Sequence, residues 1–133
     1  MDLAAWVADC LGPDWPALRD EDRPAFVRLA LLLMHVDRRI DEGESTWVAD
    51  HILTNEGEAE RMARRRALDE VRACFADPQA SLVFAQRQAR ALATSPDRTS
   101  LLERLGPLIA ADGALDPREA TLWQAITRAA TAP

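Results

Sequence analysis

Apolar positions along this chain recur at helical rather than strand spacing almost from end to end. Leu3, Trp6, Val7 and Cys10 repeat at intervals of three and four, and Gly12-Pro13 closes that first segment. After a loop around Trp15 and Pro16, Asp22 and Pro24 mark the start of a helix carrying Phe26, Val27, Leu29 to Met34 and Val36. It is apolar nearly all round, which predicts a central core helix rather than a surface one. A break near Arg39 precedes a second helix from about 42 to 55, with Trp47, Val48, Ile52 and Leu53 on its inner face. Gly57 opens an arginine-rich helix running to about Ala76, where Glu60/Arg64, Arg65/Asp69 and Arg66/Glu70 stand as i,i+4 partners. Asp77-Pro78, Ser95-Pro96 and Asp116-Pro117 each read as a capping oxygen followed by proline at the first helical position. The helix after Asp77 presents Leu82, Val83, Phe84 and Leu92. The next carries Leu101, Leu102, Leu105, Leu108 and Ile109, with Gly106-Pro107 predicted to kink or split it. The last carries Leu122, Trp123 and Ile126.

Composition narrows this to one architecture. A chain of 133 residues, 48% hydrophobic and 29% charged, is sized for one domain with a sizeable core, spanning 1–133. Only five glycines and few β-branched residues argue against a sheet. The expectation is an all-α fold, a compact single-domain bundle of six to eight helices. A net charge of −6, with arginine as the sole basic side chain besides the histidines, argues against general nucleic-acid binding. Asp2 and Asp9 stand where a signal peptide needs cations. The longest apolar run, Leu29 to Met34, is far short of the ~20 residues of a membrane span. No membrane insertion and a cytoplasmic location are expected. Cys10 and Cys74 form no CxxC pair and read as buried free thiols.

The sharpest feature is an internal repeat. Asp37-Arg-Arg-Ile-Asp41-Glu-Gly-Glu44 and Asp112-Gly-Ala-Leu-Asp116-Pro-Arg-Glu119 share the pattern Asp-x-x-apolar-Asp-x-x-Glu at an offset of 75 positions. Leu33/Leu108 and Thr46/Thr121 match at the same offset, and Met34/Ile109 and Ile40/Leu115 are conservative. The repeat predicts a pseudo-twofold relating two helix pairs, Arg23–Asn55 and Ser95–Ala130, with Trp47 and Trp123 both largely buried. Two readings of the acids stand side by side. In the first, Asp116 with Glu119, and Asp41 with Glu44, are capping pairs, one carboxylate on the orphan N–H groups and the other reaching back from the third helical position. That leaves the recurring first aspartate, Asp37 and Asp112, without a role. In the second, three carboxylates at a tight helical corner converge and require a screening charge, which a hard divalent cation such as Ca²⁺ or Mg²⁺ supplies through an all-oxygen site. The spacing is not that of an EF-hand, because the twelfth-position glutamate falls on Val48 and Trp123.

An Ala-Asp-Gly-x-Leu-Asp-x-x-Glu corner, duplicated in a helical domain of this length, resembles the TerB-like family associated with tellurite resistance. The similarity covers about residues 23 to 130 and is closest over Ala111 to Glu119. It implies a bundle of about seven helices with an internal pseudo-twofold and a cluster of acidic residues proposed to bind metal. It also implies a stress-response sensing or docking module with a protein partner rather than a catalyst. Carried over residue by residue, the acidic set is Asp37, Asp41, Glu44, Asp112, Asp116 and Glu119. The first corner departs from the pattern: Arg38 replaces the family glycine, with Arg39 beside it, and two guanidiniums there make a metal dispensable.

Other constellations are thinner. His35 and His51 bracket the first corner but have no histidine counterparts at Ala110 and Ile126. Arg61, Arg64, Arg65 and Arg66 form the basic cluster, without interleaved aromatics. Charge is polarised, with net −6 over 37–60 and +4 over 61–90, which suits a charged partner or self-association. No nucleophile–base arrangement and no glycine-rich phosphate loop is present, so no enzymatic activity is expected. The functional expectation is a non-enzymatic, cation-responsive interaction module. Its alternative is a structural docking domain whose acids only cap helices.

Overall fold

The computed structural model describes residues 19–36, 58–109 and 116–131. These form five helices and no strand: α1 (Arg23–Val36), α2 (Glu58–Cys74), α3 (Pro78–Leu92), α4 (Arg98–Ile109) and α5 (Pro117–Thr131). The all-α class follows directly. The segments expected as helices near residues 3–10 and 42–55 lie outside the described residues. So do Trp47, Cys10, His51, Arg38 and Arg39.

α1 is the centre of the bundle. Eleven of its fourteen residues are buried, because its sequence offers no polar stripe to turn toward water. It packs against α2, α3 and α4, while α5 packs mainly on α3. Phe26, Leu29, Leu31, Leu32, Leu33 and Met34 are fully enclosed, and fully burying each side chain is worth about 1.5–3 kcal/mol. Leu33 and Leu108, the matched leucines of the repeat, are both fully buried near the ends of α1 and α4.

Several expectations are corrected in detail. The buried stripe of α3 is Ser81, Ala85, Ala89 and Leu92, whereas Val83 is 44% exposed and Leu82 and Phe84 are half-buried. Small residues at successive turns let α1 and α5 approach the α3 backbone, so the close face of this helix is its least bulky one. α4 does not split at Gly106-Pro107 but continues to Ile109. Proline two residues from the end forfeits only one backbone hydrogen bond, and the preceding glycine removes the Cβ that proline would crowd. The Trp123 indole packs beside that glycine, so that a Cβ there would stand 3.6 Å from Cζ2. Trp123 itself packs against the core, with part of its indole left open to solvent. Glu70 forms its ion pair with Arg28 of α1, at 2.5 Å, and not with Arg66 one turn before it.

The three proline-marked helix starts are solved differently. Asp77 caps α3 alone, its Oδ1 accepting from Gln79 N–H at 2.9 Å and Ala80 N–H at 3.2 Å, with Pro78 at the first position. Ser95 lies two residues further upstream of its helix than expected. Its Oγ accepts from Asp97 N–H at 3.1 Å and donates to Asp22 at 2.7 Å. Asp22 stands at the α1 N-terminus with its main-chain oxygen taking the first helical bond from Phe26. Its carboxylate does not cap α1; it receives the Ser95 hydroxyl from 73 residues away, and both residues are buried. The third start is the acidic corner.

Candidate functional site

Of the six carboxylates in the duplicated corner, Asp116 and Glu119 are described. Asp37, Asp41, Glu44 and Asp112 lie outside the described residues. At the α5 N-terminus the two form a reciprocal capping box. Glu119 N–H donates to Asp116 Oδ1 at 2.7 Å, and Asp116 N–H donates to Glu119 Oε1 at 3.0 Å. The spacing explains the geometry: a residue three positions into a helix projects back over its first turn, where donors have no intrahelical acceptor. Both negative charges also sit at the positive end of the helix dipole. Asp116 is exposed while Glu119 is only 6% exposed, so the inner wall of the corner is a carboxylate held in place by backbone.

The neighbouring cation does not neutralise this pair. Arg118 Nη2 donates to the Phe75 carbonyl oxygen and, at 3.2 Å, to Ser81 Oγ, tying the start of α5 to the α2–α3 junction. A divalent ion asks for six or more oxygens, and Asp116 and Glu119 each commit one to a main-chain N–H. Among the described residues no group of three or more His, Cys, Asp or Glu is arranged to hold a metal. By themselves, then, the described pair form a helix cap.

His35 is a core residue. It is buried, its Nδ1 lies 2.7 Å from the Leu31 carbonyl oxygen one turn earlier, and its ring tilts against Phe75 at a centroid distance of 5.1 Å. Cys74 is a free thiol, half-buried rather than fully enclosed. Burial pushes its pKa above the ordinary thiol value, and the nearby Glu70 and Asp77 carboxylates push it further. A thiol kept protonated in this way is a poor nucleophile.

The arginine cluster divides on folding. Arg65 and Arg66 face solvent, but Arg64 is only 4% exposed, in phase with Ala67, Leu68 and Val71 on the inner side of α2. It helps line a cleft of about 210 Å³ between α1 and α2, together with Asp20, Arg23, Pro24, Val27, Arg28, Ala63 and Ala67. Adjacency in the sequence groups Arg64 with the exposed Arg65 and Arg66. The helical phase of Arg64 with Ala67, Leu68 and Val71 was the signal that separates it from them. No described helix is long and apolar enough to cross a membrane. No family model, curated protein or solved structure matches this chain.

Proposed function

We propose that this chain is a non-enzymatic interaction module resembling TerB-like domains, a stress-response docking unit with a protein partner. In this reading the finer architecture is a bundle of six to eight helices in which a pseudo-twofold relates the two corner-bearing helix pairs. The observation that carries the docking assignment is the reciprocal Asp116–Glu119 capping box, in which both acids are engaged by main-chain donors. The corner acids then shape a rigid helix start and present exposed negative charge, Asp116 outermost, without requiring an ion.

A cation-responsive corner is the second reading, and one observation favours it: the first aspartate of the motif recurs at Asp37 and Asp112, where capping gives it no work. Ca²⁺ or Mg²⁺ suits such a site through Asp112, Asp116 and Glu119, with Asp37, Asp41 and Glu44 as the weaker copy beside Arg38 and Arg39.

Thermal melts across millimolar Ca²⁺, Mg²⁺ and Mn²⁺ separate the two. An ion bound only to the folded state stabilises by about 2.7 kcal/mol at a hundredfold excess over Kd. An unchanged melt is the outcome expected of the docking reading. A rising Tm that Asp112→Asn abolishes, with the Asp116/Glu119 cap left intact, would replace it with the cation site.

A further inference from the structure

The first turns of α3 and α5 lie side by side and leave a groove of about 380 Å³ between them. Pro78, Leu82, Pro117 and Leu122 give it apolar walls. The polar groups within it are bonded internally. Ser81 Oγ donates to the Pro78 carbonyl oxygen at 3.0 Å and accepts from Arg118, whose Nη2 also reaches the Phe75 carbonyl oxygen. Thr121 Oγ1 donates to the Pro117 carbonyl oxygen at 2.9 Å. Arg118 is thus a brace of the floor, with its Nε shut off from solvent. Gln79, exposed at the rim, is the remaining polar side chain of the lining. An incoming molecule meets hydrocarbon along the walls.

The mouth of the groove differs from its walls. Asp77 and Asp116 immediately precede Pro78 and Pro117, and both are exposed. Each caps its helix through Oδ1, while its Oδ2 has no partner among the described residues. Three carboxylates, Asp77, Asp116 and Glu119, therefore stand at these two helix starts against the guanidinium of Arg118, whose Nη2 bonds go to uncharged oxygens. The positive ends of the two helix dipoles, each about half a charge, still leave the balance negative.

From this arrangement, and resting on the docking reading above, we infer that the α3–α5 groove takes a short extended segment of a partner protein in which basic side chains flank apolar ones. The walls cover the hydrocarbon, and the free Oδ2 atoms at the mouth receive the cations. Packed helix axes lie about 8–10 Å apart and an extended chain advances about 3.3 Å per residue, so basic residues three apart straddle the two helix starts. An acidic segment meets repulsion at the mouth. A basic segment without apolar residues gains nothing from the walls.

Fluorescence anisotropy and amide NMR on the full chain test this with two labelled, end-blocked peptides, Gly-Arg-Leu-Pro-Arg-Leu-Gly and Gly-Lys-Leu-Leu-Lys-Leu-Gly. Control peptides replace both basic residues by glutamate, or every leucine and proline by serine. Saturable binding of at least one basic peptide is expected, perturbing amides over 79–82 and 118–122 and weakening as salt is raised. Both controls bind about tenfold more weakly or worse. Combining Asp77→Asn with Asp116→Asn keeps both caps and costs about tenfold in affinity, whereas Glu103→Gln, at an exposed acid of α4, changes nothing. Thr121→Phe fills the groove from an exposed position and abolishes binding. The double asparagine variant decides the matter if Thr121→Phe perturbs folding. The inference is overturned if neither basic peptide saturates by about 1 mM, if a control binds as tightly, or if the double asparagine variant or a folded Thr121→Phe binds like the parent chain. Self-association that Thr121→Phe abolishes would overturn it in favour of a second copy. Melts of the same samples in Ca²⁺ and Mg²⁺ keep the two levels apart. A Tm rise that Asp112→Asn abolishes defeats the docking reading, whereas flat melts without peptide binding defeat this inference alone.

Discussion

The α3 and α5 starts carry the same dipeptide, Asp-Pro, and differ in what lies three residues after the aspartate. At Asp77 that residue is Ala80, and the cap runs one way, from carboxylate to two main-chain donors. At Asp116 it is Glu119, and the cap runs both ways. Proline sets the backbone angle in both, so the difference is in the side chains alone. An Asp-x-x-Glu motif after an apolar helix therefore has a mechanical use before any ligand is considered. The Ser95 start adds a third solution, in which the capping hydroxyl is shared with a carboxylate on another helix.

These three starts rank by how much each loses when its side chain is cut back. Ser95→Ala should be the most damaging, by about 2 kcal/mol, because it strips a buried carboxylate of its hydroxyl donor as well as removing a cap. Urea unfolding measures it, and a cost no larger than that at Asp77 would mean the Asp22 contact contributes nothing. Asp116→Ala should cost about 1 kcal/mol. Combining it with Glu119→Ala should cost less than the two single changes added, since each removes half of one reciprocal pair. Strict additivity in that cycle would break the distinction between the two Asp-Pro starts. Glu119→Gln, which keeps an acceptor in the box, should shift stability by only a few tenths of a kcal/mol.

The smallest effect is electrostatic. Asp77→Asn preserves the cap yet removes one of the charges that hold the Cys74 proton. In a Cys10→Ser background, disulfide-reagent labelling near pH 8 should speed up modestly while the melt is unchanged. Burial is the leading cause of the shift, so a large acceleration would contradict the geometry. The sign for stability follows: a thiol whose folded pKa is raised supports the folded state below its ordinary pKa. That support is lost as pH climbs from 9.0 through the raised value.

Much of this fold is legible before any coordinates. The uninterrupted apolar run of α1 and the Asp-Pro pairs announce their helices because burial and capping are local consequences of composition. What is not legible is relational. Nothing adjacent to Asp22 says that its carboxylate will meet Ser95 rather than its own helix. Nothing in Leu82 and Val83 says that α3 will turn its alanines inward, since that depends on how closely two other helices approach. Glu70 illustrates the same limit, because an i,i+4 arginine loses to one on a neighbouring helix. At the candidate site, the Asp116–Glu119 pair was readable from spacing, whereas the cleft was not: Arg23 and Arg64 are 41 positions apart and meet only through packing.

The enclosure of α1 also has a dynamic meaning. A helix whose buried residues touch three neighbours cannot expose its amides to water by fraying or by local opening without dismantling those contacts. Hydrogen exchange along its central turns should then proceed only through global unfolding, so those amides clock the stability of the whole bundle.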